Sequence, residues 1–314
     1  MILRLLVSLS LCFGSLGTSA AREWASNDGR KLEAEFVSSD GRVVTLKRKD
    51  GSTFTVPLDR LSVLDQSWVS LQPSSGAVAP AAPSSPAAKP VEGPFGKLLT
   101  GSWALDERDG LKYALYGAKD LDAAKKYPLV LALHGKSKNE ENGRQVAGWM
   151  NSFTKTGNYS SNPCILVAPL SAQPEAGEGR GWNDGQVEQV IKLVKALVKD
   201  LPIDPKRIYI IGHSMGGYGT CHVMGSEPRL FAAAIPVAGV STGDAGELSR
   251  KPMWMFHAVD DDLVPVAGAR EFAELLKSNK QFKYTESATG GHGVVGRVFD
   301  DPETHKWLFE QHLK

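Results

Sequence analysis

This sequence has few cysteines, almost no excess of charge of either sign and few long apolar runs. Three cysteines in 314 residues do not make a disulfide framework. Cys164 and Cys221 lie in apolar stretches and are expected to be buried thiols, with one disulfide between them left open. The 36 basic and 35 acidic residues give a formal net charge of +1, so no general attraction to nucleic acid or to a membrane surface is expected. With 42% hydrophobic residues, the chain can bury a large core.

The amino-terminal segment MILRLLVSLSLCFGSLGTSA has the pattern of a secretory signal. It carries one arginine, an apolar run of about a dozen residues and small residues at Thr18, Ser19 and Ala20. The run is shorter than the ~20 residues that span a bilayer, so a signal peptide is favoured over a membrane anchor. We predict a signal peptide over residues 1–21, cleaved after Ala20 or Ala21. The mature protein is then periplasmic, at the cell surface or extracellular, with no stable membrane insertion.

A segment rich in alanine, proline and serine, SSGAVAPAAPSSPAAKPVEGP, divides the chain. It has too few large apolar residues to form a core, so we predict an extended linker over residues 73–94. We therefore expect a small domain over residues 22–72 and a larger domain over residues 95–314.

Short alternating runs, LEAEFVSS, RVVTLKRK and STFTVPL, fill the small domain and are separated by Asp-Gly pairs. This pattern predicts a small antiparallel β-barrel or meander. Together with the opening Trp24 and the closing VPLDRLSVLDQSWV, it resembles the Sla-homology domain, an SH3-like barrel. In eukaryotic adaptors that family binds short peptide motifs. For this chain a peptide, a glycan, surface attachment and a spacer without a ligand are all open.

Apolar strand-like runs follow the linker: KYALYGA, PLVLALHG, CILVAPLS, RIYIIGHS, AAAIPVAG, MWMFHAV and KYTESAT. In QVEQVIKLVKALVKDL, apolar residues recur at three- and four-residue spacing, which predicts a helix with one apolar face. Near-continuous apolar strands separated by helices predict an α/β fold, with a mostly parallel sheet covered by helices on both faces. Because ligands of such sheets bind at the carboxyl ends of the strands, functional side chains are expected there.

One serine, Ser214, lies between a buried strand and a helix in RIYIIGHSMGGYGT. Gly212-His213-Ser214-Met215-Gly216 fits the G-x-S-x-G pattern, in which a tight strand-to-helix turn exposes a nucleophile. Such a turn needs glycines where a Cβ would collide. We interpret Ser214 as a nucleophile rather than as a helix cap.

A serine nucleophile needs a base, and the base needs a third group to orient it. In this architecture the chain order is serine, acid, histidine. MWMFHAVDDDLVPV offers Asp260, Asp261 and Asp262 after one strand, and SATGGHGVVG offers His292 in a loop after the last strand. We predict that His292 is the base. The other histidines fit less well: His213, expected to point away from the serine; His257, expected to orient loops; and His222, His305 and His312, expected within helices.

The choice of acid rests on a resemblance. FHAVDDDLVP resembles the segment FHG-x-x-D-x-x-V-P of serine esterases when Asp261 takes the acid position, with Asp260 as the alternative. PLVLALHG, IDPKRIYIIGHSMGGYGT, FHAVDDDLVP and GGHG followed by DPETHKWLFEQ resemble, in order and spacing, the α/β-hydrolase superfamily. The similarity is to its polyhydroxybutyrate-depolymerase, feruloyl-esterase and dienelactone-hydrolase-like group. Two departures are Ala258, where glycine is usual, and Ser214 in place of a dienelactone-type cysteine, which moves the chemistry toward ordinary esters.

The resemblance implies an oxyanion hole as well. The loop that His134 opens normally shapes this hole, so the amides of Gly135, Lys136 and Met215 are expected to hold the developing negative oxygen. His134 itself is expected at the substrate. The resemblance implies neither a metal nor an organic cofactor.

Substrate residues and the substrate itself are the least determined by the sequence. In SAQPEAGEGRGWNDG, Arg180 and Trp182 are candidates to line a cleft, and a packing role for Trp182 is equally open. We expect an exported serine carboxylic-ester hydrolase acting on acylated polysaccharide or other external esters. One alternative is a prolyl-oligopeptidase-type peptidase, which is less favoured because this sequence shows no propeller domain before the hydrolase module. Another is a non-catalytic surface-binding protein that works through the small domain.

Overall fold

The structure is a computed structural model that describes residues 21–26, 30–39, 43–61, 65, 68–69, 89–136, 146–171 and 181–314. The chain divides into two compact units, Met1–Ser84 and Ser85–Lys314. The predicted signal peptide before residue 21 and the predicted linker up to residue 88 lie outside the described residues. Among the residues that the structure describes, no helix is both long and apolar enough to cross a bilayer.

The first unit contains a four-stranded antiparallel sheet. In spatial order, its strands are Arg22–Ala25 (β1), Lys31–Ser39 (β2), Val43–Lys47 (β3) and Thr53–Pro57 (β4). Side chains alternate along β3, where Val44 and Leu46 are buried and their neighbours are half-buried, as the two-residue period of a strand requires. Trp24 is buried and packs on Phe36 and Trp68. The prediction of a small antiparallel sheet is confirmed, while the Sla-homology assignment stays a prediction.

The second unit is built on an eight-stranded sheet. Its strands are Ala104–Arg108 (β5), Leu111–Tyr116 (β6), Tyr127–Leu133 (β7), Ile165–Pro169 (β8), Ile203–His213 (β9), Ala233–Val237 (β10), Met253–Ala258 (β11) and Phe282–Ser287 (β12). Their spatial order is β12-β11-β10-β9-β7-β8-β6-β5. Strands β7 to β12 pair in parallel, and β5 and β6 pair antiparallel at one edge. The predicted mostly parallel sheet is confirmed.

Helices cover both faces of this sheet. They are Thr156–Ser161 (α1), Asp184–Asp200 (α2), Met215–Ser226 (α3), Ala245–Leu248 (α4), Ala267–Leu275 (α5), Val295–Asp300 (α6) and Pro302–Phe309 (α7). Successive side chains of β7 enter two separate apolar cores: Leu129, Leu131 and Leu133 pack with α2, α3 and α5, whereas Val130 and Ala132 pack with α1, α6 and α7. This two-sided burial explains why β7 is an uninterrupted apolar run.

The fold differs from the sequence predictions at two places. Strand β5 was not predicted, because four of its five residues are exposed and its sequence, ALDER, has no alternating pattern. The end of the predicted linker belongs to the second unit, since the Lys89 carbonyl accepts a hydrogen bond from Ala123 N at 2.8 Å and Val91 packs against the core. Cys164 and Cys221 are both buried and free, so they form no disulfide.

Candidate active site

Ser214 occupies the sharp turn between β9, which ends at His213, and α3, which begins at Met215. Its backbone has φ +56° and ψ −120°, a conformation that is costly for a residue with a side chain. The turn is held by its own hydrogen bonds: Ser214 N donates to Val237 O at 2.9 Å, and Ser214 O accepts from Gly217 N at 2.8 Å. The strain is therefore compensated by the neighbouring strand and helix.

Two glycines allow this turn to be so tight. A Cβ on Gly212 would lie 2.1 Å from Gly216 O, and a Cβ on Gly216 would lie 2.0 Å from Leu133 O. Both obstacles are backbone atoms of packed elements, which cannot swing away as a flexible side chain can. The glycines of the G-x-S-x-G motif are thus required by close backbone approach between α3 and the ends of β7 and β9.

Three side chains that follow β9, β11 and β12 form a hydrogen-bonded row. His292 Nε2 lies 2.8 Å from Ser214 Oγ, and His292 Nδ1 lies 2.9 Å and 3.1 Å from the two carboxylate oxygens of Asp261. Asp261 follows β11, and His292 lies on a 3₁₀ turn after β12. With Nδ1–H donating to the carboxylate, Nε2 is free to accept the serine proton, which is the arrangement that activates a serine hydroxyl.

Asp261 is held in its charged form. Its side chain is out of contact with solvent, and Oδ1 accepts hydrogen bonds from Val264 N at 2.9 Å and Leu263 N at 3.0 Å. Burial by itself would raise the pKa of Asp261, but these amides and the His292 ring outweigh it and leave the pKa below its ordinary value. His257 supports the same loop, since its Nε2 lies 2.8 Å from Val264 O and 3.3 Å from Asp261 Oδ2. A fixed, ionised carboxylate is suited to orienting the His292 ring.

The three consecutive aspartates have different positions. Asp261 contacts the His292 ring, whereas the exposed Asp260 accepts hydrogen bonds from Gly291 N at 2.7 Å and Gly290 N at 3.2 Å. The side chain of Asp262 is exposed. The contacts of Asp260 could not be foreseen from the sequence, because its partners are backbone amides about thirty residues further along the chain.

For His213 the sequence predicted only that the side chain points away from Ser214, without indicating what it contacts. Its Nε2 donates to the His292 carbonyl at 2.7 Å, and the two imidazole rings lie 4.8 Å apart. Burial lowers the pKa of His213 to about 4, so the ring is neutral near pH 7. The side chain therefore reaches the histidine loop and supports it from the side of β9. Of the remaining histidines, His222 binds Trp182 O and Asp184, His305 binds Phe299 O, and His312 is exposed.

Two of the predicted oxyanion residues, Met215 and Gly135, lie at the serine turn. Met215 is the first residue of α3, where helix amides have no partner within the helix. A Cβ on Gly135 would lie 3.3 Å from Ser214 Cβ, so the loop after β7 touches the turn. The Lys136 side chain is exposed. Assignment of these three amides to an oxyanion hole stays a prediction.

Two of the three predicted substrate residues, His134 and Trp182, are buried and do not face a cleft. His134 is 2% exposed, and its ring accepts a hydrogen bond from Ser171 N at 3.0 Å and donates to Gly135 O at 2.8 Å. Both ring nitrogens thus fasten loops instead of facing a cleft. Trp182 is fully buried, with its ring 5.4 Å from His134 and in contact with the position of Gly219. Its role is packing, because a buried ring cannot stack on a sugar. Arg180 lies outside the described residues.

Fold and site together define a class of protein. A mostly parallel sheet with a serine on a strand-to-helix turn, followed in the chain by an aspartate and a histidine at later strand ends, is the α/β-hydrolase architecture. This chain has that fold and is a serine hydrolase.

Comparison with known proteins agrees with this class. Residues 175–246 match the model of the prolyl oligopeptidase family. A bifunctional acetylxylan esterase/xylanase of Neocallimastix patriciarum is 27% identical over 196 residues, which are 60% of this chain and 28% of that protein. The Aspergillus niger protein described as "Probable feruloyl esterase C" is 25% identical over 191 residues, 59% of this chain and 67% of that protein.

A solved structure extends the similarity over more of the chain. The crystal structure of a thermostable esterase covers 90% of this chain and 73% of its own, with a TM-score of 0.60 and 25% identity. Because the match spans only 28% of the acetylxylan esterase/xylanase, the activity of that whole protein does not transfer to this chain.

Proposed function

We propose that this protein is an exported serine carboxylic-ester hydrolase that acts through an acyl-enzyme on acylated polysaccharide or other external esters. The observation that carries the proposal is the row Ser214 Oγ, His292 and Asp261, with contacts of 2.8 and 2.9 Å. A serine hydroxyl attacks a carbonyl only when a base takes its proton, and this row supplies that base.

Acylation and deacylation use the same three residues. Ser214 Oγ bonds to the ester carbonyl carbon while its proton passes to His292 Nε2. Asp261 holds the imidazole in the required tautomer and stabilises the imidazolium that forms. When the tetrahedral intermediate collapses, His292 gives the proton to the leaving alcohol. A water molecule then attacks the acyl-Ser214 with His292 as base, which releases the acid and restores the serine.

The negative oxygen of each tetrahedral intermediate needs donors. In this proposal, the amide of Met215 and an amide of the Gly135-Lys136 loop supply them. The support is positional: Met215 opens a helix, and Gly135 contacts the serine turn. Preorganised amides of this kind commonly contribute 10²–10³-fold to turnover.

The substrate class rests on independent support. The names of two relatives, acetylxylan esterase and feruloyl esterase, favour an acyl ester. The amino-terminal signal pattern favours a substrate outside the cytoplasm.

A peptidase activity is the second candidate, supported by the match of residues 175–246 to the prolyl oligopeptidase family. Amide hydrolysis would use the same row, with an amine as the leaving group. Hydrolysis of prolyl dipeptide p-nitroanilides, measured beside p-nitrophenyl esters, separates the two. A higher kcat/KM on the anilides would replace the esterase proposal with the peptidase.

The decisive test compares the mature protein with Ser214→Ala. We expect the wild type to hydrolyse p-nitrophenyl acetate and butyrate and to react with a fluorophosphonate probe, and the variant to do neither. Ser226→Ala is the matched control, because it removes an exposed serine at the far end of α3, and should retain both properties. A folded wild type that shows neither turnover nor labelling would refute the catalytic proposal and favour a binding protein that works through the first unit.

A further inference from the structure

The loop that presents His292 begins with two glycines in unusual conformations. Gly290 has φ +136° and Gly291 has φ +55°, and neither has a side chain that could fix the loop by packing. Glycine pairs have the largest conformational freedom of the backbone. A histidine placed directly after such a pair needs an external restraint if its ring is to stay within hydrogen-bond distance of Ser214.

Asp260 supplies that restraint. Its Oδ1 accepts from Gly291 N at 2.7 Å and its Oδ2 accepts from Gly290 N at 3.2 Å, so each carboxylate oxygen holds one glycine. The hydrogen bond from Gly291 N, reinforced by that from Gly290 N, lowers the pKa of Asp260 because both amides stabilise its ionised form. Hydrogen bonds to an ionised acceptor are about twice as strong as those between neutral groups.

The carbonyl of His292 itself is held by the last residue of β9. His213 Nε2 donates to the His292 carbonyl at 2.7 Å. Three consecutive residues of the loop are therefore tied to the loops that carry the serine and the acid. Asp260 acts on the backbone before His292, and its neighbour Asp261 acts on the ring.

We propose that Asp260 is a positioning residue for the reaction: its carboxylate fixes the backbone from which His292 reaches Ser214. The inference rests on the ester hydrolase proposed above. It assigns different roles to two adjacent aspartates: Asp260 sets the position of the imidazole, and Asp261 sets its orientation. Because misplacement of a catalytic group by about 1 Å can cost 10²-fold in rate, loss of this restraint should appear in turnover.

The test compares Asp260→Asn with Asp262→Asn. An asparagine at 260 keeps one acceptor oxygen but turns an amide N–H toward a glycine N–H. Asp262→Asn removes the same charge two residues away, where the side chain is exposed and no hydrogen bond of its carboxylate is found among the described residues. Four quantities are measured for each variant: kcat and KM on p-nitrophenyl acetate across pH, the rate of fluorophosphonate labelling, hydrogen exchange of a peptide spanning residues 289–293, and the melting temperature.

We expect Asp260→Asn to lower kcat and the labelling rate by about 10- to 100-fold with little change in KM. The loss should persist on the plateau of the pH profile, because a misplaced base lowers the maximal rate itself. The 289–293 peptide should exchange faster at an almost unchanged melting temperature. Asp262→Asn should resemble the wild type in all four measurements.

Wild-type kcat and exchange in Asp260→Asn would overturn the inference. An equal loss of kcat in both variants would also overturn it, because the effect would then come from charge and not from the restraint. Failure of the proposed function is a different result: the wild type would hydrolyse no ester and take up no probe. The exchange measurement would still report whether Asp260 holds the loop.

Discussion

The substitution Gly216→Ala tests the close contact between α3 and β7 that positions Ser214. A Cβ at this position would lie 2.0 Å from Leu133 O, 2.5 Å from Leu133 C and 2.8 Å from His134 O. All three are backbone atoms at the carboxyl end of β7, in the fully buried centre of the sheet. The overlap can be relieved only if the helix and the strand move apart.

The cost can be estimated from the distances. Overpacking against side chains costs about 1–3 kcal/mol, because rotamers can adjust. Here the overlap is with rigid backbone, and the strained Ser214 turn is coupled to that backbone. We therefore expect the free energy of unfolding to fall by about 4 kcal/mol, a loss typical of severe core defects. For a unit of this size, 1 kcal/mol shifts the melting temperature by about 2–4 °C, which predicts a fall of about 10 °C.

Gly225→Ala, in the same helix, is the matched control. A Cβ at Gly225 would have its nearest neighbour, Glu247 Cβ, at 3.7 Å, an ordinary contact. Because alanine is a better helix former than glycine by up to about 1 kcal/mol, this variant should be as stable as the wild type or slightly more stable. Thermal unfolding followed by circular dichroism and hydrolysis of p-nitrophenyl acetate are measured for both variants. If Gly216→Ala melted and turned over like the wild type, the assignment of close backbone packing at the serine turn would be refuted.

Two other substitutions test the packing of Trp182 and the charge of Asp261. Trp182→Ala should lower the free energy of unfolding by about 3–5 kcal/mol, because a fully buried indole is removed; urea unfolding measures this, and normal stability with a raised KM would instead show that the ring contacts substrate. Asp261 has a depressed pKa in the folded state, so its ionised form stabilises the protein fully above the unfolded pKa of about 3.9 and stops doing so as the pH falls through the folded value. The difference in urea midpoint between wild type and Asp261→Asn should therefore shrink as the pH falls below the unfolded pKa, whereas a constant difference would contradict the depressed pKa.

The central sheet could be predicted from the sequence, and the reason is physical. Strands buried on both faces, such as β7, must be apolar at every position, and this is visible without a structure. The edge strand β5 has the opposite character: its hydrogen bonds are made by the backbone, and its mostly exposed side chains leave no pattern. Its formation depends on pairing with β6, which a local pattern does not reveal.

Site residues differ in the same way. Ser214 is marked by the glycines that its turn requires, together with the buried strand before it and the helix after it, so the local sequence is sufficient to find it. The choice between Asp260 and Asp261 depends on how one loop faces another, and both aspartates proved to face the histidine loop through different atoms. Trp182 was ambiguous because an aromatic residue after a strand can equally cover a cleft or fill the space above a helix glycine. The structure resolves that ambiguity through burial.

The order of the site residues along the chain has a consequence during synthesis. Ser214 precedes His292 by 78 residues, and the strands that carry its partners, β11 and β12, are the last two of the sheet. A nascent chain that has emerged only as far as α3 therefore has the serine turn without acid or base, and its hydroxyl is an ordinary alcohol. Because β12 is also an outer strand of the sheet, the histidine loop is put in place when the final strand adds to the edge. Reactivity of Ser214 thus marks a chain whose sheet has folded through β12 and its histidine loop.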